Sequence, residues 1–257
     1  MFAFQDTDGS VEVAFTDRHR TPGGGPARQG GPLDLGSHDG EHADQAEADL
    51  RGVTEALTRP PAGGDGPPVP HRTVLMRQVH GADVTVVDER LLDRLAATAP
   101  PVADALVSDV PGVVLVVRAA DCVPVLLADA AAGVVSAVHC GRRGLTAGVV
   151  PRAVESMRRL GADTLRAWIG PHVCGGCYEV PEDMRAQVAA VVPESEAVTT
   201  WGTPSLDLGA GVRAQLRGAG ATITEVSRCT VEDEGLFSYR RQGAEAGRLA
   251  GLVWVRP

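Results

Sequence analysis

Short apolar runs rich in β-branched residues dominate the chain between residues 72 and 140. They read TVLM, VTVVD, ALVSD, VVLVV, VLLAD and VVSAVH, and turn-forming pairs such as Pro111-Gly112 and Ala132-Gly133 separate several of them. Runs of this length between turn residues predict the strands of a mostly buried sheet. Outside this region, further strands are predicted at VEVAFT, LRAWIG, ATITEVS and RLAGLVWVRP.

Helical spacing of apolar residues marks four other segments. The clearest opens at Thr146, continues through VVPRAVESMRRLG and stops at Gly161, a residue typical of helix C-termini. Two stretches rich in Gly and Pro predict loops instead, at residues 21 to 32 and 59 to 70. The predicted helices cover residues 38 to 58, 146 to 161, 182 to 192 and 208 to 219.

The order of these elements predicts the fold class. Strands and helices mix without a regular βα repeat, which favours an α/β (α+β mixed) fold with a central mixed β-sheet system and flanking helices over a TIM barrel or a Rossmann fold. The 257 residues, of which 44% are hydrophobic, suffice to build a sizeable core. We expect one domain over residues 1 to 257.

Charge and the N-terminus narrow the range of partners. The chain has 33 acidic and 24 basic residues, a net charge of -9, and every basic side chain is Arg. Such a balance disfavours unspecific binding to nucleic acid or anionic membranes. No leader pattern and no run of roughly 18 apolar residues is present. We expect a cytoplasmic protein, a monomer or homodimer, that binds neither nucleic acid nor membranes.

Three segments bring soft or borderline metal ligands to the ends of predicted strands. They are RQVHG with His80, AADCV with Cys122, and AVHCG with His139. Two imidazoles and one thiolate suit Zn²⁺, and three protein ligands with a fourth position left for water are typical of a catalytic zinc site. Because successive strand residues face opposite sides, His139 rather than the adjacent Cys140 is the expected ligand. Ordinary half-buried histidines and a small core cysteine remain the alternative.

The five cysteines are an odd number, which fits reduced thiols better than a disulfide framework. Two of them form the CxxC motif of Cys174 and Cys177, which is compatible with half of a structural zinc site, with a redox pair, or with unpaired thiols in a glycine turn. We favour unpaired thiols, because the sequence has no second CxxC and Cys229 alone does not complete a tetrahedron. The acidic run at residues 232 to 234 is interpreted as a solvated turn.

The segment FSYRR, residues 237 to 241, combines two aromatic side chains with Arg240 and Arg241. This combination suits stacking on a planar ring and pairing with a phosphate or carboxylate. An amphipathic edge strand explains the same pattern equally well, so both interpretations stay open.

Five segments together resemble the YfiH family, also called the laccase-domain or polyphenol-oxidase family. They are QVHGADV, ADALVSDVPGVVLVVRAADCVPVLLAD, VSAVHCGRRGL, IGPHVCGGCYEV and CTVEDEGLFSYRRQGAEAGRLAGLVWV, in the family's order. The specific similarity spans about residues 72 to 255, and residues 1 to 71 are more variable. Two positions depart from the family's pattern: Asp34 stands where Asn is usual, and Arg142 stands where Trp is usual.

The resemblance implies a fold related to bacterial toxin-type cysteine hydrolases and a metal site at His80, Cys122 and His139. It further implies phosphorolysis of adenosine, inosine, guanosine and methylthioadenosine, together with adenosine deamination. The expected cofactor is Zn²⁺, with Cu²⁺ as the alternative, and the expected substrates are purine nucleosides and phosphate. Because the chain has only 7 His, multicopper laccase chemistry is disfavoured.

The expected catalytic residues are Cys122, His139 and Asp121, with Asp121 as a proton carrier. Candidate substrate-binding residues for the phosphate are Arg77, Arg118, Arg240 and Arg241. Two rival functions stay open. One is a Cys/His amide hydrolase acting on peptidoglycan precursors, with Cys122 as nucleophile and His139 as base. The other is a non-catalytic binding module stabilised by a metal.

Overall fold

A computed structural model describes residues 1–20, 31–36, 43–59, 69–95, 97–226 and 228–257. Most of the two predicted Gly- and Pro-rich loops lies outside the described residues, as does the beginning of the helix predicted at residues 38 to 58. The described residues account for every strand and helix discussed below.

The strands are β1 (Phe2–Asp8), β2 (Val11–Thr16), β3 (Arg72–Val74), β4 (Val84–Val86), β5 (Ala105–Ser108), β6 (Val113–Ala119), β7 (Val123–Asp129), β8 (Val134–Cys140), β9 (Arg166–Ile169), β10 (Glu196–Val198), β11 (Pro204–Leu206), β12 (Thr222–Glu225) and β13 (Leu249–Val255). The α-helices are α1 (Ala43–Leu57), α2 (Glu89–Leu95), α3 (Arg142–Ala147), α4 (Val149–Arg159), α5 (Glu182–Ala189), α6 (Leu208–Gly218) and α7 (Tyr239–Gln242). Among the described residues, no helix has the length and apolar character needed to cross a membrane.

Two mixed sheets form the centre of the fold. The first has the order β1-β2-β13-β6-β3, and the second has the order β12-β9-β7-β8-β5-β4. Most neighbours pair antiparallel, but β3 is parallel to β6, β4 to β5, and β12 to β9. A separate ribbon pairs β10 with β11. This mixed architecture confirms the predicted fold class, with the central sheet system divided into two main sheets.

The two sheets pack face to face, with helices on both outer sides. One core cluster joins the inner faces of the two sheets, and it includes Leu115 of β6 and Leu126 of β7. A second cluster packs α1 on the outer face of the first sheet, and a third packs α3, α4 and α6 on the outer face of the second. The order of layers is therefore helix, sheet, sheet, helix.

This layering explains the continuous apolar runs in the sequence. Alternate residues of β7 point to opposite sides, so Val125 enters the cluster under the helices and Leu126 enters the cluster between the sheets. A strand covered on both faces needs apolar residues at every position, as parallel-sheet strands do. All seven residues of β7 and of β8 are buried.

Several elements differ from the predicted ones. The helix predicted to open at Thr146 is two helices, because Gly148 adopts a left-handed conformation (φ 75°) that ends α3 and begins α4. The strands β1, β10 and β11 and the helix α2 were not predicted. All four have seven residues or fewer, and β1, β10 and α2 also lie partly exposed, so their apolar periodicity is weak.

Candidate functional site

The predicted site lies at one edge of the sheets, where β6 ends, β7 begins and β8 ends. β6 of the first sheet leads into β7 of the second through three residues, Ala120, Asp121 and Cys122. Because β8 runs antiparallel to β7, its last residues, including His139, lie beside the beginning of β7. The chain thus crosses from one sheet to the other beside this edge.

His80, Cys122 and His139 meet at this edge. Their ligand atoms all lie within 4.8 Å of one another, and the two imidazole rings are edge to face with centroids 4.8 Å apart. His80 is exposed, Cys122 is half-buried and His139 is buried. The adjacent Cys140 packs into the core under the helices, as strand alternation requires. The three residues could therefore hold one metal ion with an open side toward solvent.

Asp104, at the start of β5, is a buried carboxylate that the sequence reasoning missed. One oxygen accepts a hydrogen bond from Nδ1 of His139 at 2.8 Å, and the carboxylate also accepts the backbone N–H groups of Val79, His80 and Gly81. It fixes the orientation of the His139 ring and leaves Nε2 for a ligand. The signal in the sequence was a lone Asp in the apolar run ADALVS.

Two residues of the site adopt strained backbone conformations. Among the described residues, His80 (φ 60°) and Asp121 (φ 90°) are the non-glycine residues with positive φ. Such conformations cluster at functional sites, because the surrounding contacts must hold them in place. For His80, three backbone N–H groups bound to Asp104 around this residue supply those contacts.

Asp121 faces the segment that follows β12 rather than the imidazoles. Its carboxylate accepts the hydroxyl of Thr230 at 2.6 Å and the backbone N–H of Arg240 at 2.7 Å. Both contacts are to residues more than a hundred positions away in the chain, so Asp121 ties this segment to the edge of the sheets. Asp121 also lines the cavity described below.

The electrostatics of the site favour a thiolate beside an imidazolium. Burial alone would raise the pKa of the Cys122 thiol, but hydrogen bonds to His139 and His80 and their charges lower it to about 6. Burial alone would lower the pKa of His139, but Asp104 and Cys122 raise it to about 9. By contrast, burial and the neighbouring Cys122 and Asp104 raise the pKa of Cys140. Only Cys122 of this pair is therefore poised to act as a ligand or nucleophile.

Gly141 allows His80 and Cys122 to approach each other. A Cβ atom at this position would lie 2.9 Å from Cδ2 of His80 and 3.0 Å from Sγ of Cys122. Gly141→Ala should therefore push the two candidate ligands apart and weaken metal retention about tenfold. Metal content measured after dialysis against a weak chelator tests this.

Gly218→Ala is the control for Gly141→Ala, since Gly218 lies at the end of α6 and a Cβ there meets nothing within 4 Å. Its metal retention should equal that of the unmodified chain. Equal retention by both variants would show that the ligands adjust freely.

A cavity of about 1160 Å³ opens onto the three ligands. Seven Arg and four acidic side chains line it, so its wall is cationic although the chain carries a net charge of -9. Tyr178 and Tyr239 add aromatic surface. The lining Arg residues are Arg20, Arg77, Arg118, Arg142, Arg143, Arg240 and Arg248.

The predicted arginines divide into two groups. Arg77, Arg118 and Arg240 line the cavity, and the guanidinium of Arg240 lies 4.6 Å from the ring centroid of Tyr178. Arg241 does not line it, because its guanidinium donates to four backbone carbonyls of the loop at residues 230 to 236. The observed contacts of Arg241 are therefore with this loop, and its contact with substrate stays a prediction.

The aromatic pair of the FSYRR segment is also divided. Phe237 is buried beside Leu236 and Leu249, and the guanidinium of Arg18 lies 5.1 Å from its ring centroid. Tyr239 is 56% exposed and lines the cavity. The segment forms the short helix α7, not an edge strand, with Ser238 as its N-cap.

Both departures from the family's pattern lie at the cavity. Asp34 accepts the backbone N–H groups of Gly36 and Arg248, so its carboxylate holds two pieces of the wall together. Arg142 lines the cavity and begins α3, directly after Gly141. A charged side chain thus stands where the family usually presents an indole ring.

Known proteins similar to this chain agree with the resemblance. The family described as multi-copper polyphenol oxidoreductase laccase matches residues 12–256. A purine nucleoside phosphorylase of Streptomyces coelicolor is 47% identical over 99% of this chain and 100% of its own length, and one of Mycobacterium bovis is 42% identical over 96% and 94%.

The crystal structure of YlmD from Geobacillus stearothermophilus has a TM-score of 0.79 at 29% identity and covers 96% of this chain and 93% of its own. YfiH from Bacillus licheniformis has a TM-score of 0.78 at 25% identity, covering 96% and 93%. The chain therefore belongs to the laccase-like YfiH family.

Proposed function

We propose that this protein is a zinc-dependent purine nucleoside phosphorylase that also deaminates adenosine. The observation that carries the proposal is a His80–Cys122–His139 ligand set opening into a cavity whose wall is lined by seven Arg side chains. An anionic co-substrate suits this wall, and the similar proteins named purine nucleoside phosphorylase make inorganic phosphate the candidate.

Phosphorolysis requires phosphate to attack C1′ of the ribose while the bond from C1′ to the purine nitrogen breaks. Arg77 and Arg118 are placed to bind and orient the phosphate oxygens, since both line the cavity. Arg118 is half-buried and already donates to the backbone carbonyls of Leu35 and Gly36, so it is held rigidly. A rigid Arg118 can hold the phosphate in the orientation that attack on C1′ requires.

The purine is assigned to the aromatic side of the cavity. Arg240 stacks on Tyr178, and a flat base can extend this stack. Asp121 is assigned as the proton carrier, since it lines the cavity next to Cys122 and two hydrogen bonds hold its carboxylate in place. Deamination replaces the 6-amino group of adenosine by the oxygen of water and releases ammonia.

The donor set fits Zn²⁺. Two imidazoles and a thiolate are borderline ligands, and the hydrogen bond from His139 to Asp104 is the outer support that zinc-bound histidines usually have. When bound there, Zn²⁺ supplies Lewis acidity next to the substrate.

Incubation of adenosine with the zinc-loaded protein, with and without phosphate, tests the proposal. Phosphorolysis yields adenine and ribose 1-phosphate only when phosphate is present, whereas deamination yields inosine and ammonia in both reactions. Chromatography of the products distinguishes phosphorolysis alone, deamination alone, both reactions and neither. Failure to form either product from adenosine, inosine, guanosine or methylthioadenosine would contradict the proposal.

Arg77→Gln should raise the KM for phosphate about tenfold, because a charge-assisted hydrogen bond contributes about 1.5–3 kcal/mol. Arg77 lines the cavity, and its guanidinium makes no hydrogen bond or ion pair to another described residue. The KM for nucleoside should change much less. The matched control is Arg72→Gln, which removes only a surface ion pair with Glu89. Equal phosphate KM values in the two variants would remove Arg77 from the phosphate site.

A second candidate function has its own support in the geometry. Asp104, His139 and Cys122 form a carboxylate, imidazole and thiolate series that is typical of cysteine hydrolases, with the thiol pKa lowered to about 6. In that case Cys122 attacks an amide such as a peptidoglycan precursor, and His139 is the base. An iodoacetamide-sensitive activity that survives chelation, with an adduct on Cys122, would favour this function over the first.

A further inference from the structure

A second cluster of metal-ligating side chains lies apart from the three ligands described above. Cys174, Cys177, Cys229 and Glu232 place three sulfur atoms and a carboxylate oxygen within 4.8 Å of one another. The Sγ of Cys177 lies 3.4 Å from Oε1 of Glu232. The Sγ of Cys229 accepts the backbone N–H of Cys174 at 3.4 Å. Two distant parts of the chain therefore converge on one point.

The backbone around Cys174 and Cys177 is built as a tight turn. The backbone N–H groups of Cys177 and Tyr178 both bond to the carbonyl of Cys174, at 3.0 and 3.1 Å. Gly175 packs where a Cβ would lie 2.8 Å from Cβ of Asp207, so a larger residue does not fit. The two sulfur atoms of the CxxC motif consequently share one side of the turn.

Cys229 and Glu232 reach the turn from the segment after β12. His172 and Cys229 form an isolated parallel bridge, and the backbone N–H of Thr230 bonds to the carbonyl of His172. The next turn, closed by the N–H of Asp233 on the carbonyl of Cys229, brings Glu232 back over the sulfur atoms. Glu232 is exposed and the three cysteines are free thiols, as interpreted from the sequence. Sequence spacing does not reveal the bridge that brings these four side chains together.

We propose that Cys174, Cys177, Cys229 and Glu232 bind a second metal ion, Zn²⁺, as a closed four-ligand site. Zinc–thiolate bonds of about 2.3 Å in a tetrahedron place the ligand atoms about 3.8 Å apart, so small side-chain movements from the observed cluster suffice. Three soft thiolates select zinc over calcium, magnesium or manganese. Four protein ligands leave no open position, which is typical of structural and not catalytic zinc.

The ion would fix one wall of the cavity. Tyr178 directly follows Cys177, and Arg240 of the other segment stacks on it at 4.6 Å. Thr230, next to Cys229, donates to Asp121 beside Cys122. A metal that joins the two segments therefore holds Tyr178, Arg240 and Asp121 in register. These are positioning contacts, since none of the four ligands lines the cavity.

The test is the zinc content of the full chain, purified with a reductant and passed over a metal-free desalting column. We expect two Zn²⁺ per chain, one in Cys122→Ser, one in Cys177→Ser and none in the double variant. Cys140→Ala, outside both clusters, should keep two. In chains reloaded with Co²⁺, Cys177→Ser should lose the larger share of the thiolate-to-cobalt absorbance, because the second site has three of the four thiolates.

Glu232→Gln tests the same site by a milder change, in case Cys177→Ser does not fold. It keeps all three thiols and an isosteric side chain, and it should release the second ion about tenfold faster to a chelator while the first is unaffected. The proposal is overturned if Cys122→Ser retains no zinc. It is also overturned if the intact mass, two hydrogens lower, shows a disulfide joining two of the three cysteines. Neither result depends on nucleoside activity, so this proposal and the proposed function can fail separately.

Discussion

Cys122→Ser is expected to lower nucleoside phosphorolysis at least about 10³-fold and to remove one Zn²⁺ per chain while the protein stays folded, because loss of one member of a catalytic unit disables the whole unit. Cys122 lies in the connection between β6 and β7 and is half-buried, so it contributes little to the core. A serine hydroxyl has nearly the same size but is not a thiolate. The pKa of a serine hydroxyl is far above that of the Cys122 thiol. His139 and His80 lower the thiol pKa to about 6, although burial alone would raise it.

Steady-state rates with adenosine and phosphate, zinc analysis and a thermal unfolding curve on the same sample measure this effect. Cys140→Ala is the matched control, since Cys140 is the next cysteine along, is fully buried in the core under the helices, and has a raised pKa. It should keep zinc and activity and lose only some stability. An active, zinc-bound Cys122→Ser protein would show that this thiol is neither a required zinc ligand nor a catalytic group. A Cys122→Ser protein that does not fold would instead favour the metal-stabilised binding module.

Much of the fold was predictable because burial on both faces leaves a strong local signal. The runs that became β5 to β8 are apolar at nearly every position, and each was predicted as a strand from its composition. The runs do not reveal which sheet a strand joins. β6 and β7 are adjacent in sequence and similar in composition, yet they belong to different sheets, and only long-range pairing with β13 and β9 separates them.

The candidate site was predictable only in part. His80, Cys122 and His139 stood out because each is a polar residue beside an apolar run, and the structure brings them together. Asp104 also lies beside an apolar run, but its role depends on β5 pairing with β8, which places it under His139. Sequence spacing alone also treats Arg240 and Arg241 alike. The turn of α7 sends one guanidinium to the cavity and the other to backbone carbonyls.

Replacing Asp104 by Asn should lower phosphorolysis about 10²-fold and weaken zinc binding, because a support of a ligating histidine is lost. In Asp104, one oxygen accepts Nδ1 of His139 and the backbone N–H of His80, and the other accepts the N–H groups of Val79 and Gly81. An Asn side chain has only one acceptor oxygen. In one orientation the NH₂ group of this Asn side chain would face the N–H groups of Val79 and Gly81, and in the other it would face the N–H of His80 and Nδ1 of His139. If it faces His139, it forces the ring proton onto Nε2, the nitrogen that a metal needs.

The same change should lower the free energy of unfolding by about 1–3 kcal/mol, since buried donors lose their acceptor. Asp129→Asn separates this loss from the effect on activity. Asp129 is also buried and accepts four backbone N–H groups, those of Ala131, Ala132, Asp163 and Thr164, at the far end of β7. Asp129→Asn should therefore lose comparable stability and keep its zinc and its activity per folded molecule. If Asp104→Asn behaves in the same way, Asp104 only stabilises the turn that carries His80, and His139 needs no partner to hold its tautomer.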